Sequence, residues 1–135
     1  MIEGCRGQKW DAHYLGYFEC FNRGLFYEAH DVLEELWLPE RTGPNGAFYK
    51  GLIQLAGAFV HLQKNRLRPA AALLKLAAAN LQNYSPVQLD LDISTVLRLI
   101  GDWLNKLEST EFKVNPLDTT QPPRLILGTD HTEAD

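Results

Sequence analysis

The chain has 135 residues, 45% of them hydrophobic. That is enough for one globular domain with a real core and too little for two comfortable ones. Thirteen basic residues stand against seventeen acidic ones, a formal net charge of −4, so the overall positive field needed for nonspecific phosphate-backbone binding is lacking and no nucleic-acid partner is expected.

Membrane and redox signals are equally sparse. The first residues, Met1 to Arg6, hold no apolar stretch of the signal-peptide kind. The longest apolar-rich run, Gly51 to Leu62, is interrupted by Gln54 and His61 and is shorter than the ~20 residues a membrane span needs. Cys5 and Cys20 have no CxxC spacing and no further cysteines near them, which fits reduced thiols rather than a disulfide framework. The expectation is a soluble cytoplasmic protein without a membrane partner.

Apolar residues recur at a spacing near 3.6 almost throughout, and sustained alternation with β-branched residues is absent, so the chain reads as all-α. Trp10, Tyr14, Tyr17, Phe18 and Phe21 gather aromatics on one face of a first helix, which should stop near Gly24, a residue suited to a left-handed C-cap. Those aromatics, if exposed, would also favour a homodimer. A second helix is predicted from about Leu25 to Leu38 with the stripe Phe26, Ala29, Leu33, Leu36 and Trp37, ended by Pro39 and a loop from Pro39 to Gly46. The third, roughly Ala47 to Lys64, is apolar around most of its circumference, the pattern of a central helix. Pro69 suits the first turn of a fourth helix continuing over Ala70 to Tyr84, and Asp90 or Asp92 is placed to cap a fifth carrying Ile93, Val96, Leu97, Ile100, Leu104 and Leu107. The expected architecture is therefore a single-domain bundle of about five helices over residues 1–108. From residue 109 to 135 periodicity is lost, and an irregular, proline-containing tail is predicted in which Leu125-Ile126-Leu127 is a candidate to dock in an apolar groove.

Function signals concentrate on two helices. On a wheel of the second, Glu28, Asp31 and Glu35 fall opposite Leu33 as a solvated acidic face. His30 lies at the border of the apolar stripe, with Glu34 one turn on, at a spacing that lets the two touch. On the third helix, Lys50, Gln54, Gly57 and His61 share one narrow sector of an otherwise apolar surface. Gly57 costs helix propensity there and would let a helix or ligand approach closely. If the two seams face each other, His30, Glu34, Gln54 and His61 form one cluster.

Three readings of that cluster stand side by side. A structural network would pair these groups with one another and fix helix register. A metal site would use His30, Glu34 and His61 for a divalent ion, although His30-x-x-x-Glu34 is neither the zincin HExxH nor the Glu-x-x-His of di-iron bundles. A pocket for a small anionic or polar molecule would use His30, Glu34, Lys50, Gln54 and His61, with Lys50 supplying charge and a histidine available as a base. No catalytic residue is assigned: Ser85, Ser94 and Ser109 lie in no nucleophile-elbow context, and no glycine-rich phosphate loop exists. Lys64, Arg66 and Arg68 form a basic turn just before Pro69, where the free N–H groups of a helix start could meet an anion.

The block from Phe21 to Trp37, followed by Lys50-Gly51-Leu52-Ile53-Gln54-Leu55-Ala56 and His61, resembles the family called domain of unknown function 309, over about Tyr14 to Leu107. The resemblance implies a small prokaryotic protein with an all-α, roughly five-helix bundle and no assigned activity. It also implies that His30, Glu34, Trp37, Gln54 and His61 occupy the family's motif positions. Two residues depart from the family's pattern: Asp31 stands where Glu is common, and Pro69 where a glycine often opens the fourth helix.

Overall fold

In the computed structural model, which describes residues 11–128, the first helix begins where a carboxylate can accept the free N–H groups of a helix end. Asp11 receives the backbone N–H of His13 at 2.6 Å, and α1 follows over Ala12–Asn22. Gly24, at φ +78°, then ends it: its N–H reaches the Phe21 carbonyl and that of Leu25 reaches Cys20, the paired bonds of a Schellman cap. Cys5, Trp10 and residues 130–135 lie outside the described residues.

The remaining elements are α2 (Phe26–Glu40), α3 (Gly46–Gln63), α4 (Leu67–Leu81) with a 3-10 turn over Gln82–Tyr84, and α5 (Ile93–Ser109). Between α4 and α5 the chain makes a small antiparallel hairpin, β1 (Val87–Gln88) against β2 (Leu91–Asp92), with Val87 opposite Asp92 and Gln88 opposite Leu91. Asp92 caps α5 by accepting the Thr95 N–H at 3.0 Å. The fold is all-α, with five helices among the described residues. No described helix is long and apolar enough to cross a membrane.

Two boundaries differ from the sequence expectation. Pro39 does not end α2, which continues to Glu40. A proline's own φ fits a helix, and although it removes one N–H and crowds the carbonyl of Glu35, only one helical residue follows it, so little helix is left to disrupt. The fourth helix starts at Leu67, with Pro69 in its first turn as expected, but passes into the 3-10 turn after Leu81 instead of running to Tyr84.

Helix α3 is the axis. Phe48, Leu52, Leu55, Ala56, Ala58, Phe59 and Leu62 are buried on all its sides, and α2 and α4 each pack on α3 rather than on one another. Phe59 meets a ring from each of three other helices: Phe21 of α1 at 5.8 Å, Phe26 of α2 at 5.2 Å and Trp103 of α5 at 4.9 Å. The α1 aromatics Tyr14, Tyr17, Phe18 and Phe21 all face this core, so they offer no surface for pairing with a second copy. Tyr17 keeps its buried hydroxyl satisfied by donating to the Leu52 carbonyl at 2.6 Å.

The segment after α5 has its own polar anchors. Buried Asn115 donates to the Leu62 carbonyl at 2.6 Å and accepts the Leu117 N–H at 3.0 Å, fixing the chain at the end of α3. Farther on, Leu125 is buried, and the Asn22 side chain bonds both its N–H (2.6 Å) and its carbonyl (2.8 Å). Leu127 forms an antiparallel bridge with Leu91.

Candidate functional site

The polar seam of α3 is present as a half-buried line of Lys50, Gln54, Gly57 and His61, and α2 and α4 flank it on either side. Its members go to different partners. Lys50, at the N-terminal end, holds its ammonium 4.5 Å from the centre of the Trp37 ring on α2. Gln54 turns to α4, where its side-chain carbonyl accepts the Asn80 amide at 2.8 Å. At Gly57 both flanking helices come near: a Cβ built there would sit 3.2 Å from Leu73 Cδ1 of α4 and 3.9 Å from His30 Cδ2 of α2. The missing side chain is what leaves space between the two flanking helices.

That space is a cavity of about 250 Å³ lined by Tyr27, His30, Gly57, Val60, His61, Lys64 and Leu73. Of the residues singled out from the sequence as ligand-binding, His30 and His61 meet in it, whereas Glu34, Lys50 and Gln54 are not in its lining. Tyr27, Val60, Lys64 and Leu73 complete it without having been singled out as pocket residues. Tyr27 and Lys64 are one helical turn beyond His30 and His61, so extending the seam by a turn at that end would have found them. Leu73 carries no such signal, because its place depends on where α4 crosses Gly57. The basic turn divides: Lys64 joins the cavity, Arg66 precedes α4, and the Arg68 guanidinium lies 4.3 Å from the centre of the Phe112 ring.

The two imidazoles are chemically unusual. In each, Nδ1 is buried and makes no hydrogen bond to any described residue. His13 shows what an ordinary surface histidine does in this chain: its ring bonds Asp11 at 2.9 Å and approaches Glu35 at 3.4 Å, and the Asp11 bond holds its pKa above the usual value. His61 shifts the other way, lowered by burial and then by the charges of Arg66 and Lys64. The Arg66 charge is near because its backbone N–H caps α3 by donating to the His61 carbonyl at 2.8 Å. Tyr27 runs parallel to the His30 ring, 6.3 Å between centres.

On the outer side of His30, ligand atoms of His30, Asp31 and Glu34 lie within 4.8 Å of one another; His61 is not in that group. Glu28, Asp31 and Glu35 are exposed, and Glu34 is half-buried.

Residues 14–73 match the family described as Domain of unknown function (DUF309). This segment is a DUF309 domain. The match runs from α1 into α4 and contains every residue that lines the cavity, Leu73 being the last residue of both. It is shorter than the resemblance read from the sequence, which extended to Leu107. No curated protein and no solved structure matches the chain.

Proposed function

We propose that the DUF309 segment is a small-molecule binding module and that the His30–Gly57–His61 cavity is its site. The observation that carries this is that the two histidines lining one cavity each keep a buried Nδ1 without a partner among the described residues, so neither ring is held by a structural hydrogen bond through that atom. A buried polar atom left unpaired costs about 1–3 kcal/mol, and a network built only for stability would have paired it. The glycine beside them points the same way, since an alanine would hold the helix better and fill the cavity floor.

The same atoms weigh against the cavity as a metal centre built on His30, Glu34 and His61. A metal-bound imidazole normally passes its second ring proton to a carboxylate or carbonyl, which fixes the ring. Binding through the outer nitrogen of either ring would leave a buried Nδ1–H without an acceptor among the described residues. Lys64 in the lining adds a positive charge that a cation would have to overcome. Among the described residues no lining side chain is hydrogen-bonded to another as an activated nucleophile is to its base, so binding rather than catalysis is the reading.

Gly57→Ala is the informative variant. Leu73 Cδ1 is the end of a flexible, half-buried side chain and can yield a few tenths of an ångström. The propensity gain of about 0.5–1 kcal/mol should therefore appear as increased stability in urea unfolding. In a fragment titration followed by amide shifts, wild type should show compounds that move His30, His61 and Lys64 together, with weaker binding in Gly57→Ala. A broad fragment set that never moves these residues would overturn the proposal.

A further inference from the structure

We propose that this cavity selects small organic anions with an apolar body, held by Lys64 and by the outer N–H groups of His30 and His61; the inference rests on reading the cavity as a ligand site. It follows from where the protons must be. A buried N–H without an acceptor is rarer in folded proteins than an under-used acceptor, so a neutral ring at either position keeps Nδ1 bare and carries its proton on Nε2. Nε2 is then the reachable nitrogen of each ring, and it is a donor. The ammonium of Lys64 donates as well and accepts nothing.

Charge in the lining has one sign. Lys64 is its one lysine and no arginine or carboxylate joins it, and the other walls, Tyr27, Val60 and Leu73, present mainly rings and aliphatic carbons. Among the described residues Lys64 forms no ion pair, in contrast to Lys75, Lys106 and Lys113, each of which meets a carboxylate. Lys50, the cation expected to serve the pocket, is instead placed against Trp37. Asp31 and Glu34 approach His30 but do not line the cavity. Convergent donors, one uncompensated cation and apolar walls suit a carboxylate or phosphate attached to a ring or short chain.

The test is a set of three probes of similar shape and different charge: benzoate, benzamide and benzylamine, titrated into the full chain and followed by backbone and histidine ring shifts. Benzoate should bind about two- to fivefold tighter than benzamide, the span expected of a solvated ion pair, with benzylamine weakest. Lys64→Gln should erase the preference for benzoate over benzamide, whereas Lys113→Gln should leave it intact. Benzamide or benzylamine binding as tightly as benzoate, with shifts at His30 and His61, would overturn the anion proposal and leave the ligand site standing. Failure of all three probes to move the cavity residues would overturn the anion proposal. Failure of a broad fragment set as well would take the ligand site with it.

Discussion

Phe59→Ala should cost about 3–5 kcal/mol, the range for removing a large aromatic from a packed interior. Phe59 is fully buried, and its ring is the point at which α1, α2, α3 and α5 meet, through Phe21, Phe26 and Trp103. Deleting it removes the transfer free energy of one aromatic side chain and leaves a cavity bordered by rings that cannot easily collapse. The loss should be read from urea unfolding as a lower midpoint with little change in slope. A cost below about 1.5 kcal/mol, less than the burial of one such side chain, would mean that the helices do not converge on this ring.

Gly51→Ala is expected to destabilise, the opposite of Gly57→Ala on the same helix. Glycine-to-alanine in a helix interior gains roughly 0.5–1 kcal/mol from backbone entropy. At position 51, however, the new Cβ would lie 2.7 Å from Leu81 Cγ, 2.9 Å from Leu81 Cδ2 and 3.3 Å from the Ala77 carbonyl oxygen. Leu81 is fully buried and cannot swing into solvent. Overpacking of this kind typically costs about 1–3 kcal/mol, which outweighs the propensity gain. Gly51→Ala should cost less in a Leu81→Ala background than in the wild type, the non-additivity expected of two residues that share one space. Equal stabilisation by both alanines would contradict the close α3–α4 crossing, and with it the geometry that makes Gly57 the cavity floor.

The parts of this fold that were legible in the sequence are those fixed by local periodicity and end chemistry. The all-round apolar surface of α3 marked it as central, Gly24 marked the end of α1, and Asp90 or Asp92 marked the start of α5, where Asp92 is the cap, because each signal acts within a turn or two of chain. Pro39 was misleading, since a proline forbids much less in the final turn of a helix than in its middle. The candidate site was legible in part. Helical spacing alone puts His30 and His61 on polar seams, but that these seams meet at one cavity comes from the packing of α2 on α3. Lys50 and Gln54 share the seam of His61 but have long side chains and nearer partners, Trp37 and Asn80, which only the packing of α2 and α4 supplies. Leu73 enters the cavity for the same tertiary reason, whereas Lys64 lies one turn along the seam from His61.

The most direct test of the central claim, that the two imidazoles are kept for a ligand and not for stability, is the unfolding free energy of a His30→Leu, His61→Leu double variant in the absence of ligand. Replacing unpaired buried polar atoms with hydrocarbon should leave stability unchanged or raise it by about 1–2 kcal/mol, while fragment binding at the cavity is lost. A loss of more than about 1.5 kcal/mol would instead be the mark of a satisfied polar network that the fold depends on, and would contradict the account.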